Sequence, residues 1–136
     1  QFFNLIQKEI KLYGLCTYPD GGLRTSINDL TKYLIYIGNR GANKTINILE
    51  DESFSEMFKI DYFNNYTKFW TIKESNTIGH GGNDPGVQTG MYYNLETNIG
   101  VIYFINTSPH GEFKNILNDL IEFSIKLNKT IKSPDQ

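Results

Sequence analysis

Cysteine is all but missing from this chain: Cys16 stands alone, so no internal disulfide can form. It reads as a small buried apolar residue rather than a nucleophile, because neither histidine, His80 or His110, is tied to it by a known local signature. Two distant histidines and one cysteine lack zinc-like spacing, so no metal is expected. No apolar run approaches the length of about 20 residues that a bilayer crossing needs, and no membrane span is expected either. Positive charge is short too. Thirteen Lys and Arg against fifteen Asp and Glu give a net charge of −2 and supply no basic stripe for nucleic acid. Val87 follows Gly86 where a phosphate loop would place lysine, which excludes that design. Ala42 is the only alanine among abundant Ile, Asn and Lys, a bias of genome rather than of function.

What is present suits one domain. A chain of 136 residues with 39% hydrophobic and 14% aromatic content can bury a modest core. It opens Gln1-Phe2-Phe3, with neither methionine nor a charged leader, and is expected to be a piece of something longer. Residues 1–15 are ambiguous, since Phe3, Ile6, Ile10 and Tyr13 have helical spacing while Ile10 and Leu12 alternate as in a strand. Tyr18-Pro19-Asp20-Gly21-Gly22 is a turn. Ser26-Ile27-Asn28-Asp29 reads as a capping box, Ser26 serving the N–H of Asp29 and the Asp29 side chain reaching back. The helix it starts has Ile27, Leu30, Leu34 and Ile37 on one face and ends at Gly38 and Gly41. A second, short helix runs from Glu50-Asp51-Glu52 through Phe54, Met57 and Phe58.

Strands follow. Residues 68–72 are aromatic and β-branched, with Trp70 as core or cleft wall, and residues 89–94 and 99–106 form a hairpin across Leu95-Glu96-Thr97-Asn98. Residues 100–105 are apolar almost throughout, which places that strand centrally with both faces covered. One cover is expected to be a helix over residues 112–126, with Phe113, Ile116, Leu117, Leu120, Ile121 and Ser124 forming its stripe.

Between the first of these strands and the hairpin lies Gly79-His80-Gly81-Gly82-Asn83-Asp84-Pro85-Gly86. Four glycines and a proline in eight residues allow sharp turns and close approach, so the segment reads as a glycine-rich turn at the rim of an antiparallel sheet. Alone, His80 could simply cap a turn. Asp84 beside Pro85 could be a general base but better suits an Asx-type turn, and His110 reads as an exposed loop residue.

These segments, in this order, carry a resemblance. Pro19-Asp20-Gly21-Gly22-Leu23-Arg24-Thr25-Ser26 followed by Asn28-Asp29-Leu30, then Ile48-Leu49-Glu50 with Phe54 and Met57, then residues 79–86 and the strands ending Ile102-Tyr103-Phe104-Ile105-Asn106, resemble the serine β-lactamase-like hydrolases. That family includes class C β-lactamases, penicillin-binding D,D-peptidases and related esterases. The resemblance implies an α+β architecture, with residues 1–136 a single partial domain. It would be the C-terminal part of a β-lactamase-like fold, antiparallel strands with a C-terminal helix packed on one face and short helices besides. It also implies an activity: opening of an ester or amide (β-lactam, D-Ala peptide or carboxylic ester) through an acyl-serine intermediate without a cofactor. His80 would orient or charge the site, Gly81 and Gly82 would admit substrate, and the N–H of Asn83 would be one oxyanion donor, the other being the serine's own.

The family's Ser-x-x-Lys is absent, since no serine here has lysine three residues later. Its Tyr-x-Asn occurs by letter at Tyr62-Phe63-Asn64 and Tyr92-Tyr93-Asn94, but on the wrong side of the Pro-Asp-Gly-Gly segment. The chain alone is therefore expected to be catalytically silent. The competing expectation is a non-catalytic binding module for peptide or cell-wall fragments. Expected partners are a small-molecule or peptide substrate and a second copy meeting it through surfaces bared by truncation. The resemblance also implies a periplasmic, cell-surface or secreted location.

Overall fold

A computed structural model describes residues 11, 13, 14, 16, 18–42, 48–61, 66–73, 76–107, 115, 116, 118–120, 122 and 123. Pro19 opens a single helical turn, α1 (Tyr18–Gly21), closed by Gly22 N–H donating to the Tyr18 carbonyl at 2.7 Å. The main helix, α2 (Ile27–Gly38), starts as its sequence requires: Ser26 is the N-cap and Asp29 N–H donates to its hydroxyl at 3.1 Å. The reverse arm differs from a capping box. The Asp29 carboxylate accepts from the Ser26 hydroxyl at 2.8 Å and from Lys32 Nζ at 2.9 Å, so it braces the cap instead of reaching the backbone. Leu34 and Ile37 are buried, while Ile27 remains 45% exposed.

α3 (Asp51–Met57) carries Phe54, fully buried beside Tyr36 and Phe58. Taking that ring out of water stabilises the fold by about 3 kcal/mol. Tyr36 fastens the approach to α3, its hydroxyl accepting from the N–H groups of Ile48 and Leu49 at 3.0 and 3.2 Å.

Four strands form one antiparallel sheet in the order β1-β2-β3-β4: β1 (Thr71–Lys73), β2 (Thr77–Asp84), β3 (Val87–Asn94) and β4 (Ile99–Ile105). Three expectations need correction. Residues 68–70 are not strand, because Thr67 closes a turn with Trp70. Its N–H donates to the Trp70 carbonyl at 2.8 Å, and its hydroxyl accepts from the Trp70 N–H at 3.0 Å. The glycine-rich segment is not a loop: residues 79–84 belong to β2, and only Pro85 and Gly86 turn, with Gly86 at φ 76°. Among the described strands β4 lies at a margin of the sheet, not at its centre, and its residues are half-buried or exposed.

β3 is the strand buried instead, from Gly90 to its end. Its partners on β2 and β4 set the two faces. Ile78, Met91, Tyr93 and Ile102 share the face under α2, where Leu34, Ile37, Phe54 and Trp70 complete the core. On the other face Tyr92 lies across Gly79 and Tyr103 across Gly90, each ring over the glycine directly opposite it. The two rings stack with centroids 6.4 Å apart, and Lys73 Nζ sits 4.3 Å above Tyr92. Burial and the neighbouring Tyr92 push the Tyr103 phenol up to about 12.

The β3–β4 turn is held by one amide. Asn94, 2% exposed, accepts at Oδ1 from the N–H groups of Glu96 and Thr97 and from the Thr97 hydroxyl, and donates from Nδ2 to Thr77 on β2. Cys16, expected buried, is exposed. Of residues 112–126, the described ones are helical, yet Ile116 and Leu120, expected on the buried stripe, are 53% and 57% exposed. Phe113, Leu117, Ile121 and Ser124 lie outside the described residues, as do His110 and Tyr62-Phe63-Asn64. The helix seen covering the sheet is α2. At coarse level the architecture is α+β.

Candidate functional site

β1 is short, and that makes the site. It pairs with β2 only from Thr77 to Gly79, so no described strand pairs with the outer side of residues 80–84. Backbone N–H and C=O groups alternate in direction along a strand, hence part of this stretch faces away from β3. His80, Gly81, Gly82 and Asn83 are all exposed along it.

The strand's period of two separates them. His80 and Gly82 share the α2 face with Ile78, whereas Gly81 and Asn83 share the face of Gly79. The His80 and Asn83 side chains therefore do not converge, and what Asn83 can bring to the edge is its backbone. His80 donates from Nδ1 to the Gly81 carbonyl at 2.8 Å, which leaves Nε2 as the acceptor of the neutral ring. Gly82 leaves room where a Cβ would lie 2.7 Å from the Thr89 hydroxyl.

Two hollows border this edge. One, of about 550 Å³, lies at the hairpin end between residues 21–24 and 82–87, and includes Gly82, Asn83, Asp84 and Arg24. Tyr13 crosses it: its hydroxyl donates to Asp84, and its carbonyl accepts from Arg24 Nη2 at 2.5 Å. The hydrogen bond to the Asp84 carboxylate raises the Tyr13 phenol above its ordinary value. Asp84 thus sits at the strand end in a tyrosine's grip.

The second hollow, of about 590 Å³, opens on the α2 face and is walled by Leu30, Tyr33, Phe69, Trp70, His80 and Met91. Tyr33 stacks on Trp70 with centroids 6.3 Å apart, and burial raises its phenol. Asp29 stands at its margin, its carboxyl held below the usual range by Lys32 and then by Ser26. Among the described residues, no three His, Cys, Asp or Glu side chains gather as metal ligands do, and no helix is long and apolar enough to cross a membrane.

Comparison with known proteins finds no family model, curated protein or solved structure that matches the chain. The site therefore rests on its own geometry. His80, Gly81, Gly82 and Asn83 are brought to one exposed strand edge. Tyr92-Tyr93-Asn94 is structural, its asparagine spent on the β3–β4 turn. Sequence reasoning missed Tyr13, Arg24 and Tyr33. Tyr33 had a signal, standing three residues after Leu30 and one helical turn before Ile37 on the core-facing side of α2, but the other two are joined to the site by contacts with no local pattern.

Proposed function

We propose that this chain is the C-terminal portion of a serine β-lactamase-like hydrolase whose longer parent opens an ester or amide through an acyl-serine intermediate. The observation that carries the reading is the outer edge of residues 80–84, unpaired by any described strand, which bears His80 and lies between two hollows. An acyl group laid along that edge meets glycines that leave it space and outward-facing backbone donors on a strand held in place by its pairing with β3. In this reading a serine from outside the chain attacks the carbonyl, and the lysine one turn after it takes the proton. The Asn83 N–H and the serine's own N–H receive the oxyanion. His80, with Nε2 free to accept, orients or charges the reacting groups.

The parent is expected to hydrolyse a chromogenic β-lactam or a p-nitrophenyl ester, and His80→Ala in the parent to lower kcat by about a hundred-fold. The 136-residue chain is expected to be silent on both. An active parent indifferent to His80→Ala would remove His80 from the mechanism.

A second reading is favoured by one fact: the edge and both hollows are present in a chain that holds no Ser-x-x-Lys. A non-catalytic module could use the same edge as a groove for peptide or cell-wall fragments. A parent sequence lacking the serine or the lysine would favour it. Under either reading a second copy of the chain is proposed to cover the apolar margin at β4, which sedimentation tests, and the parent is placed outside the cytoplasmic membrane.

A further inference from the structure

β4 exposes two of its seven residues, Gly100 and Phe104, and both stand on the α2 face with Ile102 between them. They are opposites. Phe104 is a ring left 42% exposed, and Gly100 has no side chain. Beside Gly100 a hollow of about 410 Å³ opens between α2 and β4, walled by Ile27, Leu34, Ile35 and Ile102. No charged residue lines it among the described residues. The strand edge next to it carries none of the devices that discourage strand addition. From Ile99 to Ile105 it has no charge and no proline, and its ladder to β3 runs residue for residue without a bulge. The opposite margin of the sheet is guarded, β1 being three residues long and ending at Lys73.

We propose that two copies of the chain join their β4 strands antiparallel about a twofold axis at Ile102, so that each Phe104 ring enters the other copy's hollow beside Gly100. Symmetry sets the geometry. Such an axis keeps both α2 helices on one side of the joined sheet, and residues directly opposite one another share a face. Centred on Ile102, it puts Gly100 opposite the second copy's Phe104 twice over, with Val101 opposite Tyr103 and Ile99 opposite Ile105. A register centred on residue 101 or 103 sets Phe104 against Asn98 or Ile102 instead and leaves no ring opposite Gly100. A ring laid over the glycine across from it is the device this sheet already uses at Gly79 under Tyr92 and at Gly90 under Tyr103. The inference rests on the reading that a second copy covers β4, and it is independent of the hydrolase reading.

Sedimentation of the 136-residue chain at about 0.1 mM is expected to show a dimer. Phe104→Lys removes the ring, and Ile35→Lys puts a charge at the hollow that receives it. Both positions are exposed, so each variant is expected to keep the circular dichroism of the unsubstituted chain while weakening the dimer at least about ten-fold. Register is read by cross-linking, with the exposed Cys16 first replaced by serine. Ile102→Cys then sets each new thiol opposite its own copy, within the Cα separation of a disulfide, whereas Ile105→Cys holds the two about 20 Å apart. Oxidation with copper phenanthroline is expected to link the first variant as a dimer and leave the second unlinked. A chain that stays monomeric at about 0.1 mM removes the second copy and this arrangement with it. A dimer indifferent to both lysine variants, or linked as fast through Ile105→Cys as through Ile102→Cys, overturns this arrangement alone.

Discussion

β2 and β4 flank the same central strand and differ in nearly everything else. β2 holds three glycines in eight residues; its first half is buried and its second half is open at the edge. β4 is apolar, uncharged and half-buried along most of its length, with its far side unpaired among the described residues. The difference teaches that a strand's place in a sheet is not set by how greasy it is. Gly79 lies inside because Tyr92 supplies the side chain that glycine lacks, as Tyr103 does for Gly90. Phe104 stands 42% exposed at the margin because no described element covers it there.

Substitutions can break this contrast. The largest effect is expected from Gly79→Val, since a Cβ there would lie 2.1 Å from the Tyr92 ring and 2.5 Å from the Met91 carbonyl. Backbone cannot yield as a flexible side chain does, so thermal unfolding should show a loss of at least about 3 kcal/mol. Next comes Asn94→Ala, which strips the β3–β4 turn and Thr77 of a buried partner; about 2 kcal/mol is expected in urea titration, with the slope unchanged.

A pH effect sharpens the same packing. The Tyr103 phenol is raised to about 12 in the folded chain, while its unfolded value is near a phenol's ordinary 10.0. Above pH 10 the unfolded chain therefore holds fewer protons than the folded one, and stability falls as pH rises through that window. Tyr103→Phe should flatten the decline between pH 10 and 12, measured by chemical denaturation across that range. The smallest effect belongs to the margin: Phe104→Thr on β4 should change the stability of the single chain, measured at high dilution, by no more than about 0.5 kcal/mol. A loss that grows with chain concentration would mean that a second copy covers β4.

How much of this was legible in the sequence depends on the range of the interaction. α2 with its Ser26 cap, α3 and the β3–β4 hairpin follow from contacts within a few residues, and they stand close to where the pattern put them. The glycine-rich strand was not legible as strand, because what makes glycine tolerable in β2 is a tyrosine thirteen positions later on β3. β4 misled for a related reason: its apolar run says what its side chains touch, not whether another strand follows. At the site, the local cluster of residues 79–83 could be singled out by composition. The contact of Tyr13 with Asp84 could not, since it joins residues far apart in the chain.

The meander has one more consequence, for the order in which the molecule forms. Every strand pairs with its neighbour in the chain, across a two-residue turn between β2 and β3 and a four-residue turn between β3 and β4. Only short loops need to close, so the entropy spent before the first favourable contact is small. The edge that bears His80 is thus built from pieces that find one another early, and the elements with longer connections arrive at a surface already shaped.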